Sequence, residues 1–136
     1  MDRQTAERTV EQDLRRSIES MIPGSRCVKF VSPGWTGVPD RMILLPGGAV
    51  VFAELKRPGE TPRPRQVYVH RILRQLGFVV FGCVDSKEAV RDVVQACMLI
   101  SGQARVQKSR RRIPDADADE QQGEGYTERA DDGAGV

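Results

Sequence analysis

Aromatic residues make up only 5% of this 136-residue chain, so a folded core has to be built from Val, Ile and Leu. There is no apolar run long enough to span a bilayer, and the first residues, MDRQTAERTVEQ, are too polar for a secretory signal. No membrane association is expected, and the expected location is the cytoplasm. The three cysteines, Cys27, Cys83 and Cys97, are odd in number, far apart and without CxxC spacing. They read as reduced, buried small hydrophobes and not as metal ligands. The single histidine, His70, falls next to Val69 on a predicted helix and reads as a surface or partly buried structural side chain, not a base.

A strong excess of one charge sign is also missing, since the formal net charge is +2. The distribution is uneven: residues 1–100 hold 15 Lys and Arg against 11 Asp and Glu, whereas residues 101–136 hold 6 against 8. The basic excess lies on the part expected to fold, which permits a phosphate-binding surface without requiring one.

Hydrophobic periodicity organises the first hundred residues. Val10, Leu14, Ile18 and Met21 recur at helical spacing, predicting an amphipathic helix over about 5–21 that Pro23-Gly24 ends. Strands are predicted at 27–31, 41–45 and 49–56, the last two joined by the Pro46-Gly47-Gly48 turn, as an antiparallel meander. A second helix at about 64–76 buries Val69, Ile72, Leu73 and Leu76, with Gly77 as its cap. The apolar run 78–84 reads as a strand covered on both faces. Ser86 is a natural N-cap for a last helix at about 87–99, with Ala89, Val90, Val93, Val94 and Ala96 inward. The order α-β-β-β-α-β-α predicts an α/β fold, a mixed central sheet flanked by helices. Residues 1–100 are the expected domain. Residues 101–136, a basic cluster around Arg110-Arg111-Arg112 followed by an acidic, Gly-rich stretch, are the expected disordered tail.

One constellation stands out chemically. Glu54 and Lys56 are two apart at the end of an apolar strand, so both project from one face. Asp40 opens the neighbouring strand after a Gly-rich loop, where its carboxylate can reach that face. Two or three carboxylates meeting at a point suit a hard divalent cation, and a nearby lysine can orient water or stabilise charge building on a phosphate. Each residue has an ordinary reading too: Glu54 and Lys56 as a salt bridge at a strand end, Asp40 as a turn residue, Gln66 as a first-turn polar residue. Those readings weaken when all the residues fall together.

Gly37-Val38-Pro39-Asp40-Arg41, then Phe52-Ala53-Glu54-Leu55-Lys56, then Gln66 opening the next helix, resembles the VRR-NUC branch of the PD-(D/E)XK nucleases. The likeness runs over about residues 7–95, and the family's loop is present as Gly34-Trp35-Thr36-Gly37. The resemblance implies a restriction-endonuclease-like core. It implies a metal bound by Asp40, Glu54 and a glutamate of the first helix, with Lys56 and Gln66 completing the catalytic set. Glu11 is the favoured helix carboxylate, and Glu7, one turn earlier, is the competing choice. It further implies Mg²⁺ or Mn²⁺ as cofactor, no organic cofactor, and DNA as substrate. Short stand-alone members resemble phage enzymes acting as homodimers on branched DNA such as four-way junctions. Lys29, Arg41, Arg57, Arg63 and Arg65 flank the expected site and are candidate nucleic-acid contacts; Trp35 is either a lid over the core or a base-stacking contact. A monomeric nickase or flap nuclease is the competing enzyme. A catalytically silent DNA-binding subunit of a phage replication or packaging complex is the competing reading from another class.

Overall fold

Alternation along one strand divides the molecule into two layers. In the strand β3 (Val50–Leu55), Val51, Ala53 and Leu55 face one way and Phe52 and Glu54 the other, as a period of two requires. The computed structural model describes residues 3–110, and the side chains of residues 8–102. Its elements run α1 (Arg3–Met21), β1 (Arg26–Lys29), β2 (Arg41–Leu44), β3, α2 (Pro64–Gln75), β4 (Val79–Val84) and α3 (Lys87–Arg110). The four strands form one sheet in the order β1-β2-β3-β4. The antiparallel meander pairs Cys27 with Ile43 and Ile43 with Val51, and β4 then joins β3 in parallel. A parallel neighbour needs a crossover, and α2 supplies it.

On one face, Leu14 and Ile18 of α1 and Val90, Val93, Val94 and Cys97 of α3 pack against Ile43, Val51, Ala53, Leu55 and Val84. On the other, Val69 and Leu73 of α2 pack against Phe52 and Val80, with Phe30, Trp35, Val38, Met42 and Val50 at the margin. The expected helix ends hold. Ser86 Oγ accepts the Ala89 N–H at 3.1 Å and so caps α3, and Gly77 follows α2 with a left-handed φ of 97°. At the end of α1, the buried Ser25 hydroxyl lies 3.0 and 2.5 Å from the carbonyl oxygens of Ile18 and Ile22, which also accept the backbone N–H groups of Ile22 and Ser25.

Several expectations are corrected. Ile22, not Met21, ends the buried stripe of α1, because the helix stops and the chain turns inward one residue later. Leu76 is 68% exposed at the last turn of α2, beyond the edge of the sheet. The run 78–84 is an edge strand with Phe78 and Val79 exposed, since nothing pairs beyond it in the described sheet. Cys83 on that edge is exposed, while Cys27 and Cys97 are buried as expected. Finally, α3 does not stop at residue 99. It continues to Arg110, so the tail expected from 101 begins as helix. Ser101 is buried, with its hydroxyl 3.4 Å from the Pro46 carbonyl, and the sequence beyond is rich in the helix formers Ala, Gln, Arg and Lys. The rest of the expected tail, 111–136, lies outside the described residues.

Candidate active site

The face of β3 covered by α2 carries the polar cluster. Glu54 and Lys56 are only 4% and 9% exposed, and each is held by neighbours. Asp40 lies immediately before β2, where the register sets Arg41 opposite Ala53. The two acidic residues brace each other's strands. The Asp40 backbone N–H donates to Glu54 Oε2 at 3.1 Å, and the Leu55 N–H donates to the Asp40 carboxylate at 3.2 and 3.3 Å. Pro39, fully buried, fixes the chain just before Asp40.

Gln66 completes the group from α2. Its Nε2 donates to Glu54 Oε1 at 2.8 Å, and its Oε1 accepts the Lys56 ammonium at 2.9 Å and the Arg63 backbone N–H at 2.9 Å. One amide therefore caps its own helix and ties the lysine to the glutamate. Lys56 Nζ also lies 3.4 Å from Glu54 Oε1. In spite of these partners, burial pushes the Glu54 carboxyl above its ordinary value, against the opposing pull of Lys56 and the hydrogen bonds from Asp40 and Gln66.

The loop before Asp40 is locked onto α2. Gly37 has φ 93°, and a Cβ there would lie 2.9 Å from the Arg65 carbonyl oxygen and 3.1 Å from Val69 Cγ2, so both the backbone angle and the space require glycine. Arg65 Nε donates to the Thr36 carbonyl at 3.1 Å across the same junction. Trp35 is partly buried against the apolar cluster of α2.

Asp40, Glu54, Lys56 and Gln66 are thus brought together. Glu11 is not. It sits on α1, in the layer on the opposite face of the sheet, and pairs with Arg41 at 2.9 Å. Among the described residues, no group of three or more His, Cys, Asp or Glu side chains converges. Arg41, expected at the nucleic-acid surface, is largely buried and engaged by Glu11 and by the Asp40 carbonyl at 3.0 Å. It faces α1 because its register partner Ala53 does, so it braces the strand that carries Asp40. Lys29 is exposed on β1, paired in register with Arg41. Arg57 pairs with Glu60 at 3.6 Å, and Arg63 and Arg65 are exposed at the start of α2. His70, expected at or near the surface, is 2% exposed, and its ring lies over Gly82, where an added Cβ would be 3.2 Å from Nδ1. Burial holds its pKa below the ordinary value, helped by Arg74 and Lys56, and its Nε2 has no hydrogen-bond partner.

The backbone donors of Leu55, Asp40 and Arg63 are site components that sequence reasoning missed, because no side-chain identity signals them.

No protein-family model matches the chain. A protein of Acyrthosiphon pisum secondary endosymbiont phage 1 named "Putative nuclease p44" is 42% identical over 82 residues, spanning 60% of this chain and 85% of that protein. A solved structure described as a VRR_NUC domain superposes with a TM-score of 0.60 at 28% identity, covering 66% of this chain and 95% of the other. The chain belongs to the VRR-NUC family. The VRR-NUC likeness thus extends to the α/β architecture and its mixed sheet, in the element order read from the sequence.

Proposed function

We propose that this VRR-NUC protein is a divalent-metal-dependent DNA endonuclease, acting as a homodimer on branched DNA such as four-way junctions in phage replication, recombination or repair. The observation that supports it most is the interlocked Asp40–Glu54 pair with Lys56 and Gln66 at one buried point. A binding module has no use for a desolvated carboxylate whose proton affinity is raised. The residues fit a hard cation: Mg²⁺ accepts one or two carboxylates plus waters and substrate oxygens, so Asp40 and Glu54 suffice without Glu11. Glu54 Oε2 accepts a single hydrogen bond and keeps a lone pair for such an ion. Mg²⁺ or Mn²⁺ would be held there and would supply an activated water and neutralise phosphate charge.

The chain's own residues do the rest. Lys56, held by Gln66, places its ammonium beside the carboxylates to stabilise the pentacovalent phosphate and orient the attacking water. Arg57, Arg63 and Arg65 offer cations to the strands that enter, whereas Lys29, in register with Arg41, lies on the α1 side. The apolar edge strand β4, with Phe78 and Val79 exposed, supports pairing with a second copy, and two sites related by a dyad suit a two-fold symmetric junction. Among the described residues no helix is long and apolar enough to cross a membrane, in keeping with action on DNA in the host cytoplasm.

The deciding experiment incubates purified protein with Mg²⁺, Mn²⁺ or EDTA and duplex, flap, single-stranded and four-way-junction DNAs. Cleavage is expected with either metal, greatest on the junction, and abolished by EDTA. Asp40→Asn and Glu54→Gln, which preserve shape and most hydrogen bonding, are expected to lose all measurable cleavage while melting near the parent temperature. Parent-like cutting by either variant removes that residue from the site. A protein that binds these DNAs and cuts none is the silent subunit instead.

A further inference from the structure

Tyr68 is the most exposed aromatic side chain among the described residues, at 52%. Every other aromatic there is placed by packing. Phe30 and Phe78 stack on Phe52 with centroids 5.7 and 5.4 Å apart, Phe81 lies against the aliphatic core, and Trp35 lies beneath α2. In a chain so poor in aromatics, a ring left in water contributes nothing to the fold. Tyr68 is nevertheless positioned. The Arg65 guanidinium lies 5.4 Å from its ring centroid, and Arg65 is fixed by the Thr36 carbonyl and by the close approach of Gly37.

The surroundings define the partner. Helix α2 carries Arg65, Arg71 and Arg74 and no acidic residue, and Arg63 precedes it. A basic surface with an exposed, oriented ring fits an anion that also presents a flat π face, which is a nucleotide. A base inside a duplex hides both faces in the stack, so the base that meets Tyr68 is unpaired. Tyr68 is two residues beyond Gln66 and so points to the far side of α2 from the site.

We infer that the Arg65–Tyr68 pair is a stacking platform for an unpaired base, selecting DNA with a single-stranded segment near the cleavage point. This rests on the nuclease reading above and narrows it to branched DNA with an unpaired segment, such as a flap, since the strands of a four-way junction are paired.

The test is fluorescence anisotropy in EDTA with the full chain, on a blunt duplex and on the same duplex bearing a short single-stranded extension. Tyr68→Ala is expected to weaken binding of the extended duplex about tenfold, the scale of one lost base–aromatic stack. Binding of the blunt duplex should stay unchanged. Tyr68→Phe and Tyr68→Trp should bind both DNAs as the parent does, because the ring and not the hydroxyl is at work. Equal losses on both DNAs, no loss on either, or a Tyr68→Phe variant as weak as Tyr68→Ala overturns the platform and leaves the nuclease reading standing. A parent protein that binds and cuts no DNA overturns both. Thermal melting of each variant guards against misfolding, and an exposed residue gives little reason to expect it.

Discussion

The two faces of β3 have opposite characters. Toward α1 and α3, Val51, Ala53 and Leu55 lie in a mainly aliphatic layer, with the Arg41–Glu11 ion pair on the same side of the sheet. Toward α2, the same strand presents Phe52 and then Glu54, with Lys56 just beyond, into a layer of carboxylate, amide, ammonium and an imidazole with an unpartnered nitrogen. Burial on the first face stabilises the fold. On the second it raises the proton affinity of Glu54 and depresses that of His70, which marks both as strained by desolvation. Stability and reactivity are concentrated on opposite sides of one strand, and a substitution should register mainly on the side it touches.

The largest effect should come from Lys56→Met, which keeps the stem and removes the charge. Cleavage should fall by about two or more orders of magnitude, as when a positioned transition-state charge is lost. Thermal stability and Mn²⁺ affinity should hold, or the affinity rise slightly as a neighbouring cation disappears. Mn²⁺ calorimetry beside single-turnover cleavage decides it. Loss of metal binding along with activity would recast Lys56 as a structural partner of Glu54.

Leu14→Ala strikes the opposite face. Leu14 is fully buried, so the cavity should cost about 2–5 kcal/mol, read by urea unfolding. Cleavage per folded molecule, measured well below the melting point, should stay within about twofold, because the side chains of Asp40, Glu54, Lys56 and Gln66 are not part of that aliphatic cluster. A catalytic loss as large as that of Lys56→Met would show that the two faces are not separable.

The smallest effect is a pH slope from His70. Its folded pKa lies below the ordinary 6.5 of the unfolded chain, so between those values the unfolded state holds a proton that the folded state lacks. Stability should therefore fall as pH drops from 6.5 toward the folded pKa, with no contribution from His70 above that window. His70→Leu should flatten this part of the curve in urea titrations at pH 5 and 7.5. It should be near neutral at pH 7.5, since an apolar group replaces one with an unpartnered nitrogen. Equal slopes in parent and variant would remove His70 as their source.

The comparison also shows what could be read from the chain itself. The α1 stripe, the meander and the shared face of Glu54 and Lys56 were legible because spacing and strand period are local, whereas Gln66 came from the family likeness. Glu11, expected at the metal, pairs with Arg41, and adjacency along a helix says nothing about which side of a sheet that helix covers. Arg41 was misread for the same reason: its neighbour Asp40 belongs to the site, yet its register partner turns it toward α1. The position of β4 at an edge, and the burial of His70 against Gly82, depend on sheet order, which no single segment encodes.

The crossover has a consequence for how the molecule is made. The first three strands join through short connections and can pair as soon as they exist, whereas Gln66 and β4 reach β3 only after α2 has folded across the sheet. Until then Glu54 and Lys56 lack the amide that links them, and one edge of β3 is bare. Assembly of the reactive group is thus a late event in folding. A newly made chain holds its charged pair in water, where ionisation costs little, and encloses it only when its bridging partner arrives.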